Sequence, residues 1–272
     1  MLWALIALVV MSESCARARA GDPAPVPAAR ATPAAPSPPS NDQAIPPLES
    51  TPAIVPLPVP SFPEAVVSVP VGAVTPRPVV VATHGLWDLP EGLCDNWRWI
   101  VGNRAWVVCP RGTAMPDKTF RYSSGPALAD EIDAGLRALQ ARYPGYVDPG
   151  PMLYAGFSLG SILGVWIVAH DPARYPRAVL TEGGEDRVSD AVAAKYAKGG
   201  VQRILFACGL AGRVPSATQA VRRLDRAGVS ARVVLGRLPD AGQFMHWYNG
   251  PVADETKAQL DWLFEGDARW SP

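Results

Sequence analysis

The chain has 272 residues with 25 Lys+Arg against 25 Asp+Glu, so its formal net charge is zero and it lacks the basic excess of a nucleic-acid partner. Hydrophobic residues make up 48% and charged residues 18%, and 17 of the 30 prolines precede residue 80. A proline-rich first quarter cannot bury a core, whereas the remaining roughly 200 residues suit one domain that buries about 70% of its unfolded surface.

The chain opens with an apolar run from Leu2 to Met11, too short to span a bilayer and of the right length for the apolar region of an export signal, although no Lys or Arg precedes it. Two endings compete. Cys15 after Ser14 resembles a bacterial lipoprotein acceptor, with Ser12 and Glu13 departing from the usual pattern, and Ala18-Arg19-Ala20 before Gly21 resembles a secretory cleavage site. Residues 1–20 therefore read as a signal peptide or lipoprotein signal, and the product as exported, either membrane-tethered in a bacterial cell envelope or secreted. Residues 21–63 are too rich in Pro for helix or ladder hydrogen bonds and read as a disordered tether of up to about 3.1 Å per residue.

Residues 64–272 read as the folded domain. Val66–Val74 is expected as an edge strand because Pro70 interrupts it. Apolar runs follow at Val79–Ala82, Arg104–Cys109, Pro151–Ala155, Ala178–Thr181, Ile204–Ala207 and Ala231–Leu235, as required of strands covered on both faces. Helical periodicity lies between them. Leu128, Ile132, Leu136 and Leu139 form one stripe of a helix over Ala127–Tyr143, and similar patterns cover Leu159–His170, Asp190–Ala197, Pro215–Ala227 and Pro251–Phe264. Alternating strands and helices specify an α/β fold, a mostly parallel sheet with helices on both faces.

The chemistry centres on Gly156-Phe157-Ser158-Leu159-Gly160, a G-x-S-x-G sequence between a strand and a helix. Such a turn lifts the serine above the strand ends, and a side chain at either glycine would collide across it. The Leu159 N–H, at the helix N-terminus, is one candidate donor to an oxyanion, and the Leu86 N–H, after Val79–Ala82 in Thr83-His84-Gly85-Leu86, is the second. Three histidines are present. His84 sits beside the proposed donor and is expected to shape its loop, and His170 lies at the far end of the helix that begins at Leu159. His246, in the loop after the last strand, is the candidate base. No pair of His at i, i+4 and no C-x-x-C spacing occurs, so neither metal nor organic cofactor is expected.

These pieces, VVVATHG, WVVCPRG, MLYAGFSLGS, VLTEGG, RILFACG and the late His246, resemble in order the α/β-hydrolase superfamily. Within it they are similar to single-domain esterases of the phospholipase/carboxylesterase and dienelactone-hydrolase type. The resemblance implies an α/β-hydrolase fold and a serine-dependent carboxylic ester hydrolase, and the stretch between Thr181 and Arg203 is long enough for one helix but not for a large lid. Ser158 would be nucleophile, His246 base, and Leu86 with Leu159 the oxyanion donors. The substrate expected is a small molecule or an accessible acyl ester, and a flat cleft lined by Leu86, Trp87 and Trp247 would also take an aryl or polymer chain. A peptidase or acyltransferase on the same site, and a non-catalytic surface protein with this fold, stay open as alternatives. In most relatives the orienting acid follows the strand equivalent to Ile204–Ala207, but here that stretch reads Gly209-Leu210-Ala211-Gly212-Arg213. The acid is therefore sought after the preceding strand, at Glu182 or Asp186, with Asp240 a local alternative. Of the four cysteines, Cys15 lies in the signal region and Cys208 ends a strand expected to be buried. That leaves Cys94, read as a loop residue, and Cys109 as a disulfide pair in an oxidising compartment, the alternative being two buried thiols.

Overall fold

A computed structural model describes residues 45–237 and 246–271. The leader, the lipoprotein acceptor Cys15, the tether as far as residue 44, and Asp240 lie outside the described residues.

Ten strands are present among them. Eight form one sheet: β1 (Ile54–Leu57), β2 (Ala65–Ser68), β3 (Val79–Thr83), β4 (Trp106–Cys109), β7 (Leu153–Phe157), β8 (Arg177–Thr181), β9 (Arg203–Cys208) and β10 (Ser230–Leu235). Between β4 and β7 lies a two-stranded hairpin, β5 (Thr113–Ala114) with β6 (Phe120–Arg121). The sheet order is β1-β2-β4-β3-β7-β8-β9-β10. All pairs from β4 to β10 are parallel, and β2 runs antiparallel to both β1 and β4.

The apolar runs are continuous because both faces of each central strand are covered. Val79 and Val81, Trp106 and Val108, Tyr154, Ala178 and Leu180 face one core, shared with α2 (Gly125–Arg142), α3 (Leu159–His170), α4 (Asp190–Gly199) and α5 (Val214–Arg226). Val80 and Ala82, Val107 and Cys109, Leu153 and Ala155, and Val179 face the other, shared with α1 (Pro90–Val101), α6 (Pro251–Ala258) and α7 (Leu260–Phe264). The period-2 alternation of a strand thus feeds two apolar layers at once.

Four expectations are corrected. The stretch read as tether up to residue 63 is folded from residue 45: Leu48 is buried and exchanges backbone hydrogen bonds with Ala73 and Gly72, and Tyr146 donates its hydroxyl to Pro46 O at 2.9 Å. Residues 54–57 form the edge strand, so β2 is one strand further in than expected. Pro56 is compatible with this because it is exposed at the sheet margin, where a missing N–H breaks no ladder. Cys94 lies not in a loop but in α1, a helix that starts with Pro90 and buries Leu93, Cys94, Trp97, Ile100 and Val101. The final helix is interrupted at Gln259, where the Thr256 hydroxyl donates to Val252 O at 2.8 Å and Gln259 N–H donates back to Thr256 O at 3.1 Å.

Cys94 and Cys109 form a disulfide between α1 and β4 across 15 residues of sequence, and Cys208 is free and buried on the opposite face of the sheet. Closing a loop of that length contributes about 3 kcal/mol in the chain-entropy model. Replacing both cysteines by alanine should lower the unfolding free energy by about that amount in denaturant titration. Thiol titration of the denatured protein should gain two reactive groups only after reduction.

Candidate active site

The parallel strands end on one edge of the sheet, and there the loops after β3, β7, β8, β9 and β10 meet, the usual ligand edge of an open α/β sheet. Ser158 sits between β7 and α3 with φ 51° and ψ −112°, a conformation L residues avoid. Neighbouring contacts hold it there. Its N–H donates to Thr181 O at 2.9 Å, and its carbonyl accepts the Ile162 N–H at 2.9 Å. A Cβ on Gly156 would stand 2.6 Å from Ser161 N, and one on Gly160 would run into Thr83 O. Both glycines are thus required by close approach, as the G-x-S-x-G spacing implies. Beneath the turn, the Thr83 hydroxyl donates to Tyr154 Oη at 2.8 Å and Tyr154 donates to Gly160 O at 2.7 Å, tying β3, β7 and α3 together.

The loop after β3 is drawn against this turn. Gly160 N–H donates to His84 O at 3.1 Å. A Cβ on Gly85 would lie 3.2 Å from the Ser158 Cβ. Among the described residues neither Leu86 N–H nor Leu159 N–H has a hydrogen-bond partner, so two amides flanking Ser158 are free to donate. His84 is buried, with Nδ1 2.7 Å from Gly85 O and Nε2 2.9 Å from Arg111 O, and burial pushes its pKa down. It fastens the loop rather than facing the serine, as expected. His170 lies at the far end of α3, stacked on Trp166 with ring centroids 4.6 Å apart.

His246 Nδ1 lies 3.0 Å from Glu182 Oε2. A carboxylate only accepts, so Nδ1–H is the donor in this contact, which leaves Nε2 for another partner. The ring packs on Phe157, the residue before Ser158, at 4.9 Å between centroids, and the Phe157 ring also meets Tyr248 edge-on at 4.7 Å. Asn96 on α1 donates to Tyr248 O at 3.1 Å, which anchors the loop just past the histidine.

Glu182 occupies the first position after β8 at φ 55° and is 1% exposed. Its Oε1 accepts the Leu210 N–H at 3.0 Å and the Gly209 N–H, and its own N–H continues the ladder to Ala207 O at 3.0 Å. The loop that lacks a carboxylate at Gly212 therefore supplies amide donors to the carboxylate of the neighbouring loop. Burial alone would raise the Glu182 pKa. The hydrogen bonds from His246, Leu210 and Gly209 outweigh it and hold the carboxyl below its ordinary value of 4.5. Asp186 takes no part: it is 59% exposed and pairs with Arg187 at 3.3 Å. In the middle of the 3₁₀ turn Glu185–Arg187, its side chain points to solvent, and among the described residues Glu182 is the carboxylate that reaches His246. A neighbour not foreseen from the sequence is Arg213, whose Nε stands 3.4 Å from Glu182 Oε2. Among the described residues no three His, Cys, Asp or Glu gather as a metal-ligand group.

No family model matches the chain, and no curated protein does. Solved structures do. An esterase, PE8, is 18% identical with a TM-score of 0.53, covering 77% of this chain and 100% of that one. A protein assigned as a dienelactone hydrolase from Klebsiella pneumoniae is 18% identical with a TM-score of 0.55, covering 78% and 98%. This is an α/β-hydrolase fold. The fluorophosphonate-binding serine hydrolase F of Staphylococcus aureus superposes on it at a TM-score of 0.55 with 12% identity, over 77% and 96% of the two chains. Glu182 follows the strand next to that of Ser158, and only a 3₁₀ turn and α4 separate β8 from β9, so no cap domain is inserted there.

A carboxylate whose folded pKa lies below its ordinary value contributes stability above that ordinary value and loses it as pH falls through the lowered one. The melting temperature of the wild type should therefore exceed that of Glu182→Gln by most near pH 7. The gap should narrow as pH falls below the ordinary carboxyl value and through the lowered one. A pH-independent gap in differential scanning calorimetry would contradict the ionised, hydrogen-bonded carboxylate.

Proposed function

We propose that the chain is an exported serine hydrolase that cleaves carboxylic esters. The observation that carries this reading is the Nδ1–H contact from His246 to the buried Glu182, packed on Phe157 beside a Ser158 held in left-handed geometry. In this reading Nε2 of His246 takes the proton from Ser158 as Oγ adds to the ester carbonyl, and the Leu86 and Leu159 amides receive the charge on the carbonyl oxygen. Collapse of that intermediate expels the alcohol, which takes the proton from His246. The acyl-serine is then opened by water, which gives its own proton to His246, and the acid leaves as Ser158 recovers a proton. Glu182 orients the ring and stabilises the imidazolium without touching substrate. The disulfide is compatible with an oxidising compartment, as the leader sequence implies.

The rim supports an apolar acyl or aryl group in the substrate. Leu86, Trp87, Leu89, Ile162 and Trp247 are all large, apolar and exposed, and they stand on the loops and first helical turn around Ser158. Trp87, 63% exposed, holds φ 59°, rarely adopted by a bulky side chain. Its N–H donates to Phe120 O at 3.2 Å while Asp88 O accepts the Phe120 N–H at 3.0 Å, so the hairpin β5–β6 holds an indole outward beside the nucleophile.

A fluorophosphonate probe should label the wild type stoichiometrically and leave Ser158→Ala unlabelled; no labelling of the wild type would sink the reading. Glu182→Gln should fold and lower kcat by orders of magnitude. With p-nitrophenyl esters, Trp87→Ala should raise KM for octanoate about fivefold to tenfold more than for acetate, the worth of one aromatic contact. An equal effect on both esters would remove the apolar rim from substrate recognition.

A further inference from the structure

The Glu182 carboxylate has a second cationic neighbour besides the histidine. Arg213, from the loop between β9 and α5, places Nε 3.4 Å from Glu182 Oε2 and its Nη1 2.7 Å from Glu185 Oε1. Both acids are almost fully enclosed, Glu182 at 1% and Glu185 at 5% exposure. The Arg213 Nε is buried and, among the described residues, makes no hydrogen bond, so its effect on Glu182 is one of charge rather than of a shared proton. One guanidinium thus stands between two enclosed carboxylates, and it approaches the same Glu182 oxygen, Oε2, that His246 contacts.

We propose that Arg213 and Glu185 are positioning residues that set the proton affinity of His246 through Glu182, an inference that rests on the catalytic reading above. Counting charges, Glu182, Arg213 and Glu185 sum to −1 + 1 − 1 = −1 while His246 is neutral, and protonating His246 brings the cluster to zero. A lone enclosed carboxylate favours the imidazolium over the neutral ring. Arg213 weakens that preference, and Glu185 limits how far. Among the described residues, the other titratable groups on the elements packed here leave this count unchanged. The Cys208 thiol and the Tyr248 hydroxyl are both pushed up to about 12, by burial first and by neighbouring carboxylates second, and stay neutral. Asp186 is paired with Arg187 in solvent. Asp88 is held on the loop after β3, accepting the Leu89 N–H at 2.8 Å.

Removing either member shifts the base in opposite directions. Arg213→Gln leaves two negative charges and should raise the lower-limb pKa of kcat/KM by about one pH unit. Glu185→Gln leaves the cation uncompensated and should lower it, and Arg213→Lys should stay near the wild-type value. The experiment measures kcat/KM against pH for p-nitrophenyl acetate, together with a ¹⁵N-histidine NMR titration of His246 in the same full-length variants. The NMR arm needs no turnover: opposite shifts of the ring support the inference even in a protein that hydrolyses no ester, an outcome that would instead overturn the catalytic reading. Shifts in the same direction for Arg213→Gln and Glu185→Gln, or none in either, overturn it with the catalytic reading intact. If Arg213→Gln does not fold, the downward shift in Glu185→Gln and the retained value in Arg213→Lys carry the test, and an unmoved ring in Glu185→Gln overturns the inference.

Discussion

A carboxylate shut away from water has to be satisfied by the protein on every lone pair, and Glu182 imposes that demand at the edge of the sheet. Three separate parts of the chain answer it. The amides of Gly209 and Leu210 come from the end of β9 and the imidazole of His246 from the loop after β10, while the guanidinium of Arg213, from the approach to α5, adds its charge. Losing any one would leave a buried charge short of a partner, so the loops that surround the serine are locked in register with each other.

The serine turn makes a different kind of demand, one of space. Its backbone conformation is unfavourable on its own and persists because Thr181, Ile162, Gly156 and Gly160 leave no alternative path. The two requirements meet at Phe157, whose backbone leads into the turn and whose ring is the surface on which His246 lies.

Local patterns were the legible ones. Ser158 and its glycines form a contiguous motif, His246 followed from setting aside two histidines whose positions disfavoured them, and Glu182 from its place at a strand end. The central strands were readable because burial on both faces leaves them few polar residues, and those, such as Thr83, Arg177 and Thr181, stand at the strand ends. Helix α1 was not read, since Gly92, Asp95 and Asn96 dilute its pattern, although Pro90 at its first position and the spacing of Leu93, Trp97 and Ile100 carry the signal. Strand β1 was hidden by its prolines, which composition assigns to a spacer and sheet geometry admits at an edge. Arg213 and Glu185 could not have been found, because their meeting depends on two loops 28 residues apart in sequence closing over one carboxylate.

The entry point of the chain into the domain fixes a direction. Residues 45–48 sit against Tyr146, Ala73 and Gly72, and the Tyr146 carbonyl in turn holds Arg77 and the Trp106 indole at the starts of β3 and β4. That is the pole where the parallel strands begin, and Ser158 stands at the pole where they end. Residue 45, the first described, therefore lies on the side of the domain turned away from the serine, so the chain enters the fold at the end of the sheet opposite its ligand edge.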